Sequence, residues 1–265
     1  MIPKIIHYCW LSGQEFTPAV KHNLASWRNI LPDYEFILWD AKRSEVIKCL
    51  WTQEALKTRK YAFASDLIRL YAVYTYGGIY LDCDVEVLKT FDDLLHLPYF
   101  IGSEKTKGIE AAIFGAEKNA QWIASIMEHY DNRPFVKEDG SFDMAVLPSI
   151  MKSRIALMRE IKIMDTDKME EVNLLHQNGS LFCVFPYHYF SPKDIETGKI
   201  SVTNNTYTIH HFSSYWLPLS SKLRRKLMRT IGVGSAEKII YHLRLRQLRN
   251  FLKYFWSTHR KKLSL

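Results

Sequence analysis

Apolar residues recur along this chain in two rhythms, one suited to strands and one to helices, and the switches between them mark out its elements. Lys4–Trp10 predicts a first strand, an apolar run carrying β-branched Ile5 and Ile6. Phe16–Leu31 has helical spacing and stops at Pro32-Asp33. Tyr34–Trp39 returns to the strand pattern, and strand–helix–strand predicts a right-handed crossover within a parallel sheet. Arg43–Leu56 again has helical spacing. Tyr61–Tyr76 is the most regular helix: Leu67, Leu70, Tyr71 and Tyr74 form an apolar stripe, and Gly77-Gly78 supply the C-cap. Strands are expected at Ile79–Leu81, Val85–Leu88 and Ile109–Gly115, then a helix over Asn119–Asp131 that opens at Asn119. A loop across 133–143, a helix over Met144–Leu157 and short late strands at Cys183–Phe190 and Thr206–His211 complete the pattern. No repeat or low-complexity linker interrupts it. The economical division is one α/β domain over residues 1–216 and a helical appendage over 217–265.

Composition sharpens this picture in two places. With 265 residues, 47% of them hydrophobic and 14% aromatic, the chain has the material for a packed core and does not read as disordered. The net charge of +8 is unevenly spread: residues 217–265 hold 13 Lys and Arg against one acid, Glu237, which leaves the body of the chain mildly acidic. The tail mixes these cations with Leu, Ile, Tyr, Phe and Trp at helical spacing, as over Ile239–Leu252. Such a segment suits an anionic membrane surface; a solvated helical hairpin is the plainer reading. No recognition motif accompanies the charge, so nucleic acid is not expected as a partner. Cys9, Cys49, Cys83 and Cys183 have no CxxC spacing, which points away from zinc knuckles and disulfide scaffolds and toward a reducing compartment. No secretory signal or membrane-spanning run is expected. The location these features imply is cytoplasmic, peripheral on the inner face of the membrane.

Chemistry concentrates in Gly77–Asp84. An apolar strand ending in Asp82 and Asp84, one residue apart, offers hard oxygen ligands to Mg²⁺ or Mn²⁺ carrying phosphate oxygens. Alone the pair fits a solvated turn equally well. The preceding helix changes the balance. Asp66 and Arg69 stand at i and i+3, and their helix runs straight into the strand that bears the acidic pair. A guanidinium there suits a diphosphate, and a carboxylate suits sugar hydroxyls.

Ser65-Asp66-x-x-Arg69 followed by Tyr76-Gly77-Gly78-Ile79-Tyr80-Leu81-Asp82-x-Asp84 closely resembles the DXD sugar-nucleotide glycosyltransferases of family 32. That family includes yeast initiating mannosyltransferases and bacterial capsular and lipopolysaccharide sugar transferases, and the clostridial glucosylating toxins share its core. The opening Ile2–Trp10 and the segment Tyr207–Trp216 also resemble it, so the likeness runs through residues 1–216. It implies a GT-A fold, Rossmann-like, together with a nucleotide-diphosphate sugar donor, a divalent cation (Mn²⁺ or Mg²⁺) and retention at the anomeric carbon. It implies that Trp10 packs on the base, that Asp66 and Arg69 contact donor sugar and diphosphate, and that Asp82 lies by ribose and metal with Asp84 the direct ligand. Tyr80 is read either beside the donor or in the core. An offset taken from the toxins puts the third metal ligand at His211, with Ser214 and Trp216 as donor contacts; His210 is the rival ligand, since neighbours in a strand face opposite ways. One departure stands out. Where bacterial relatives carry a polar turn before a proline, this chain reads Asp143–Pro148, leaving Asp143 as the substitute polar group.

The reading that follows is a retaining hexosyltransferase, UDP-sugar favoured as donor, acting on a saccharide or lipid-linked acceptor in surface polysaccharide (capsule or lipopolysaccharide) synthesis. A haloacid-dehalogenase-type phosphatase is the alternative enzyme, because Tyr80–Val85 also fits an apolar strand ending in DxDxV, although about 80 residues precede it here. A non-catalytic membrane-associated sugar-nucleotide binder is the third reading. Front-face attack and double displacement both remain open.

Overall fold

A computed structural model describes residues 1–106, 108–165, 168–213 and 219–242. In chain order the elements are β1 (Ile5–Cys9), α1 (Pro18–Ile30), β2 (Glu35–Trp39), α2 (Leu50–Lys57), α3 (Tyr61–Tyr76), β3 (Gly78–Leu81), β4 (Val85–Val87), β5 (Tyr99–Ser103) and β6 (Ile109–Ala116). They continue with α4 (Gln121–Met127), α5 (Leu147–Ala156), β7 (Glu160–Ile163), α6 (Met169–Gln177), β8 (Leu181–Val184), α7 (Tyr187–Phe190), β9 (Thr208–His210), α8 (Leu219–Ile231) and α9 (Val233–His242). Thr17 starts α1 by accepting the Val20 N–H, with Pro18 in the first turn where no amide is needed.

The fold is α/β, and the main sheet runs β2-β1-β3-β6-β5. The predicted parallel pairing is present: β1 pairs in parallel with β2 and with β3. The sheet is nevertheless mixed, because β6 is antiparallel to β3 and to β5. Two small ribbons flank it, β4–β9 antiparallel and β7–β8 parallel. Hydrophobic clusters lie on both faces, one built around α3 with Trp39, Trp51 and Phe114, the other around Trp27, Phe91, Phe100 and Tyr207.

The structure corrects several sequence expectations. Arg43–Leu56 is two short pieces, a 3-10 turn at Arg43–Val46 and α2, broken where Ile47 turns extended and buries its side chain. Cys183–Phe190 is half strand and half helical turn, divided at Pro186, whose missing N–H cannot continue a ladder. Asn119 has φ 62° and does not cap α4, which begins after Ala120. β5, β7 and α6 had no sequence expectation. The apolar stripe expected on α3 understates the case: Phe63 to Leu70, Ala72 and Val73 are all buried, Asp66 and Arg69 among them, so this is an interior helix.

Two glycines dock that helix and the acidic strand against β1. Gly77 and Gly78 have φ of 68° and 103°, and a Cβ on Gly78 would lie 2.6 Å from the Ile5 carbonyl oxygen. Any side chain there would push β3 out of register with β1 and carry the acidic pair with it.

Residues 1–193 and 200–213 form one compact unit. The other includes residues 194–199 with the described helices α8 and α9, and inside it the Arg229 guanidinium donates to the Ile195 carbonyl. Among the described residues no helix is long and apolar enough to cross a membrane.

Fully buried His7 clamps the same joint. Its Nε2–H donates to the Gly77 carbonyl at 2.9 Å, while Nδ1 accepts from Trp39 Nε1–H at 3.2 Å. A proton on Nδ1 would confront the indole donor, and burial, outweighing the Gly77 bond, lowers the pKa from 6.5 to about 4. The folded value is depressed, so His7 contributes its full stabilisation above pH 6.5 and loses it as the pH falls toward 4. The expected loss is about 3 kcal/mol over that window. Urea unfolding of wild type and His7→Gln at pH 7.5 and 4.5 checks it, since the other titrating groups cancel in the difference. Equal pH dependence in the two proteins would refute the assignment.

Candidate active site

The site is built where the parallel strands end, the edge at which open α/β sheets place their ligands. β1 delivers Trp10, and β3 delivers Asp82 and Asp84 from the neighbouring strand. Beneath them α3 holds Arg69, 6% exposed. Its guanidinium donates to the Ala111 carbonyl at 2.8 Å, to Ser65 Oγ at 3.0 Å and to the Ser65 carbonyl at 3.3 Å. The remaining N–H groups face Asp82 at 3.3 and 3.4 Å and Asp66 at 3.6 Å. The Tyr80 hydroxyl donates to Asp82 Oδ1 at 2.7 Å, the oxygen that also faces the guanidinium. The Tyr80 ring stacks on Phe114 and lies under the Arg69 guanidinium, so the structure places Tyr80 in the core with its hydroxyl bonded to Asp82.

Asp84 is held by a different set. Its Oδ2 accepts the Ser213 N–H at 2.7 Å, reachable because Phe212 takes a left-handed φ of 50°. Its Oδ1 lies 3.4 Å from His210 Nε2. On the far side of that imidazole, Nδ1 lies 3.2 Å from Glu110 Oε2. Ligand atoms of Asp82, Asp84 and His210 all fall within 4.8 Å of one another. Two carboxylates and an imidazole suit Mn²⁺ well and Mg²⁺ less well, so the residues present fit the divalent cation that the motif implies.

His211, chosen from the toxin offset, is not brought to the aspartates. β9 pairs with β4 so that Val85 is opposite His210, and alternation turns His211 away to Glu86, at 2.9 Å. The structure therefore brings His210, the rival, to the aspartates in place of His211. Ser214 and Trp216 lie outside the described residues. Asp143 is engaged in its own loop, accepting from the Arg133 guanidinium at 2.7 Å and capping the Ala145 N–H.

Trp10 is partly buried beside Phe16, its Nε1–H donating to the Gln14 carbonyl. With Gln14, Phe16, Lys21, Leu38 and Asp40 it lines an open cleft of about 420 Å³.

Acidic and basic groups alternate through the site in two chains of contact, Asp66–Arg69–Asp82 and Asp84–His210–Glu110. Burial raises Asp66 to about 7 against the pull of Arg69. Burial likewise raises Asp82, opposed by Arg69 and reinforced by Asp84. Asp84 goes the other way: burial works against it, but His210 and the Ser213 N–H hold it well below the usual carboxylate range. The same pairings, with Glu110 foremost, overcome burial to push His210 up.

Glu110 escaped sequence reading. The signal was there, a lone charge inside the apolar strand Ile109–Ala116, where a carboxylate is buried only if it has partners.

Residues 17–101 match the family described as "Glycosyltransferase sugar-binding region containing DXD motif". Inositol phosphoceramide mannosyltransferase 3 of Schizosaccharomyces pombe is 31% identical over 135 residues, 48% of this chain and 37% of that protein. Mannosyl phosphorylinositol ceramide synthase SUR1 of Saccharomyces cerevisiae is 28% identical over 143 residues, 51% of this chain and 37% of that protein. The chain thus spans well under half the length of these curated relatives. Among solved structures, the UDP-bound glycosyltransferase domain from the YGT toxin aligns with a TM-score of 0.45 at 10% identity, covering 91% of this chain and 88% of that domain. The PaToxG glycosyltransferase aligns with a TM-score of 0.46 at 19% identity, covering 59% of this chain and 69% of that one. The family match bears out the resemblance carried by the acidic strand and its helix, and it falls on the transferase side of the two enzyme readings.

Removing the buried guanidinium leaves Asp66 and Asp82 uncompensated in the interior. Arg69→Met is expected to cost about 3–5 kcal/mol in urea unfolding. A loss below about 1 kcal/mol, the range of a solvent-exposed pair, would show that the interior network does not depend on it.

Proposed function

We propose that this chain, which carries the DXD glycosyltransferase sugar-binding region over residues 17–101, is a retaining hexosyltransferase of GT-A type. Its donor is a nucleotide-diphosphate sugar, UDP-sugar favoured by resemblance. The observation that carries the reading is the meeting of Asp82, Asp84 and His210 beside the buried Asp66–Arg69 pair. Asp82, Asp84 and His210 would hold Mn²⁺ or Mg²⁺, and such a cation, once bound, neutralises charge developing on the departing diphosphate. The protein's own contribution is positioning. Trp10 offers a ring face to the base at the rim of its cleft, and Asp66, with its raised pKa, presents a carboxyl to the donor sugar hydroxyls. Arg69 adds positive potential under the diphosphate while keeping Asp82 in aim. Ser214 is next in sequence to Ser213, whose N–H binds Asp84, and Trp216 comes two residues later, which supports keeping them as donor contacts.

The acceptor belongs to the same proposal. The yeast relatives are named for mannosylation of inositol phosphoceramide, which supports a lipid-linked acceptor over a free saccharide. We divide the chain at residue 217 into a catalytic domain and a basic tail that rests on an anionic membrane surface. On α8, Leu223 is 57% exposed, and Arg224, Lys226 and Arg229 on the same helix are exposed as well, the mixture an interfacial helix needs. Four free cysteines support a cytoplasmic setting at the inner face.

Calorimetric titration of UDP and GDP, with and without Mn²⁺, tests the donor half. One nucleotide is expected to bind only with the metal and to lose that binding in Asp84→Ala; no binding of either would overturn the reading. The tail half predicts that deleting residues 217–265 abolishes co-sedimentation with anionic liposomes while metal-dependent nucleotide binding persists. Undiminished sedimentation of the truncated chain would sink the membrane role.

A further inference from the structure

Glu110 sits on β6 with 2% exposure, and both its oxygens are occupied. Oε1 accepts the Ala112 N–H at 2.9 Å. Oε2 accepts the Ser191 hydroxyl at 2.6 Å and faces His210 Nδ1 at 3.2 Å. Its neighbours thus come from three parts of the chain: its own strand, the residue after α7, and β9. A carboxylate so held accepts and does not donate, so the hydrogen on His210 belongs on Nδ1. Nε2 faces Asp84 and Asp82, and a cation bound there would take the place of the Nε2 proton and use the lone pair that ligation requires. Phe212 packs against the ring, with centroids 3.9 Å apart.

We infer that Glu110 is a positioning residue for the cation site: it selects the Nδ1–H tautomer of His210 and holds Nε2 in ligating orientation, with Ser191 fixing the carboxylate. The inference rests on the cation reading above and deepens it by assigning the third ligand its support. A histidine ligand whose other nitrogen donates to a carboxylate is a more basic and better aimed donor, and loss of such a partner costs about 10–100-fold in metal affinity. The oxygen and nitrogen donor set favours Mn²⁺ over Mg²⁺, which makes Mn²⁺ alone a suitable probe.

The test measures Mn²⁺ affinity of the full chain by electron paramagnetic resonance, without nucleotide, in a double-mutant cycle. Glu110→Gln is expected to weaken Mn²⁺ about 10–100-fold in wild type. In the His210→Ala background, where Glu110 has no imidazole to hold, it should cost nothing further. Wild type should also show nitrogen coupling from bound imidazole that His210→Ala lacks. Ser191→Ala leaves the carboxylate in place and is expected to give a smaller loss in the same direction, so it carries the test if Glu110→Gln does not fold. Full Mn²⁺ affinity in Glu110→Gln, or an equal loss in both backgrounds, would overturn the inference while the cation site stood. Mn²⁺ binding indifferent to Asp84→Ala and His210→Ala would remove the cation reading itself, and this inference with it.

Discussion

A guanidinium buried in a protein interior must be met by acceptors on every side, and Arg69 imposes that demand on this fold. Its partners come from α3 itself, from the end of β3 and from β6, so satisfying one side chain fixes a helix and two strands relative to each other. Tyr80 closes the arrangement, packing its ring beneath the cation and lending its hydroxyl to Asp82. The acidic strand end is thereby stiffened by the same contacts that hold the core. Gly77 and Gly78 supply the other half of the constraint, since the missing side chain of Gly78 lets β3 lie close to Ile5 of β1 and that of Gly77 leaves room for Pro3 and the Lys118 backbone.

Around this anchor the site is a set of costly charges made tolerable by one another. Isolated, any of Asp66, Asp84 or Glu110 would neutralise in such surroundings. Two chains of contact, Asp66–Arg69–Asp82 and Asp84–His210–Glu110, spread the burden by setting each carboxyl group beside a basic one, and they come together at Asp82 and Asp84. A structure that wanted only stability would have filled this volume with apolar side chains. Keeping ionisable groups poised at a strand edge is what a cation and a diphosphate demand.

The sequence was most legible where neighbours in the chain are also neighbours in space. α3, its glycine stop and the acidic strand form one local unit, and its helix period, C-cap and ligand spacing are all written within Tyr61–Asp84. Expectations failed where distant segments decided the outcome. The Arg43–Leu56 helix broke because Ile47 had core to enter, and the late segment bent at Pro186 where the ladder could not continue. β5 was missed although every residue in it is buried, because a short apolar run without alternation has no period to read.

By itself, then, the sequence determined the β1–α1–β2 crossover, the acidic pair with its Asp66–Arg69 helix, and the resemblance those residues carry. Local periodicity and short motifs hold that information, so no long-range contact was needed to extract it. Tertiary structure decided the rest. The choice between His210 and His211 depends on the register of β9 against β4, which pairs residue 210 with residue 85. A slip of one residue would exchange the two imidazoles, and nothing in either strand alone specifies that register. Glu110 joins the site for the same reason: only the folded sheet carries a carboxylate from β6 to the back of an imidazole 100 residues away.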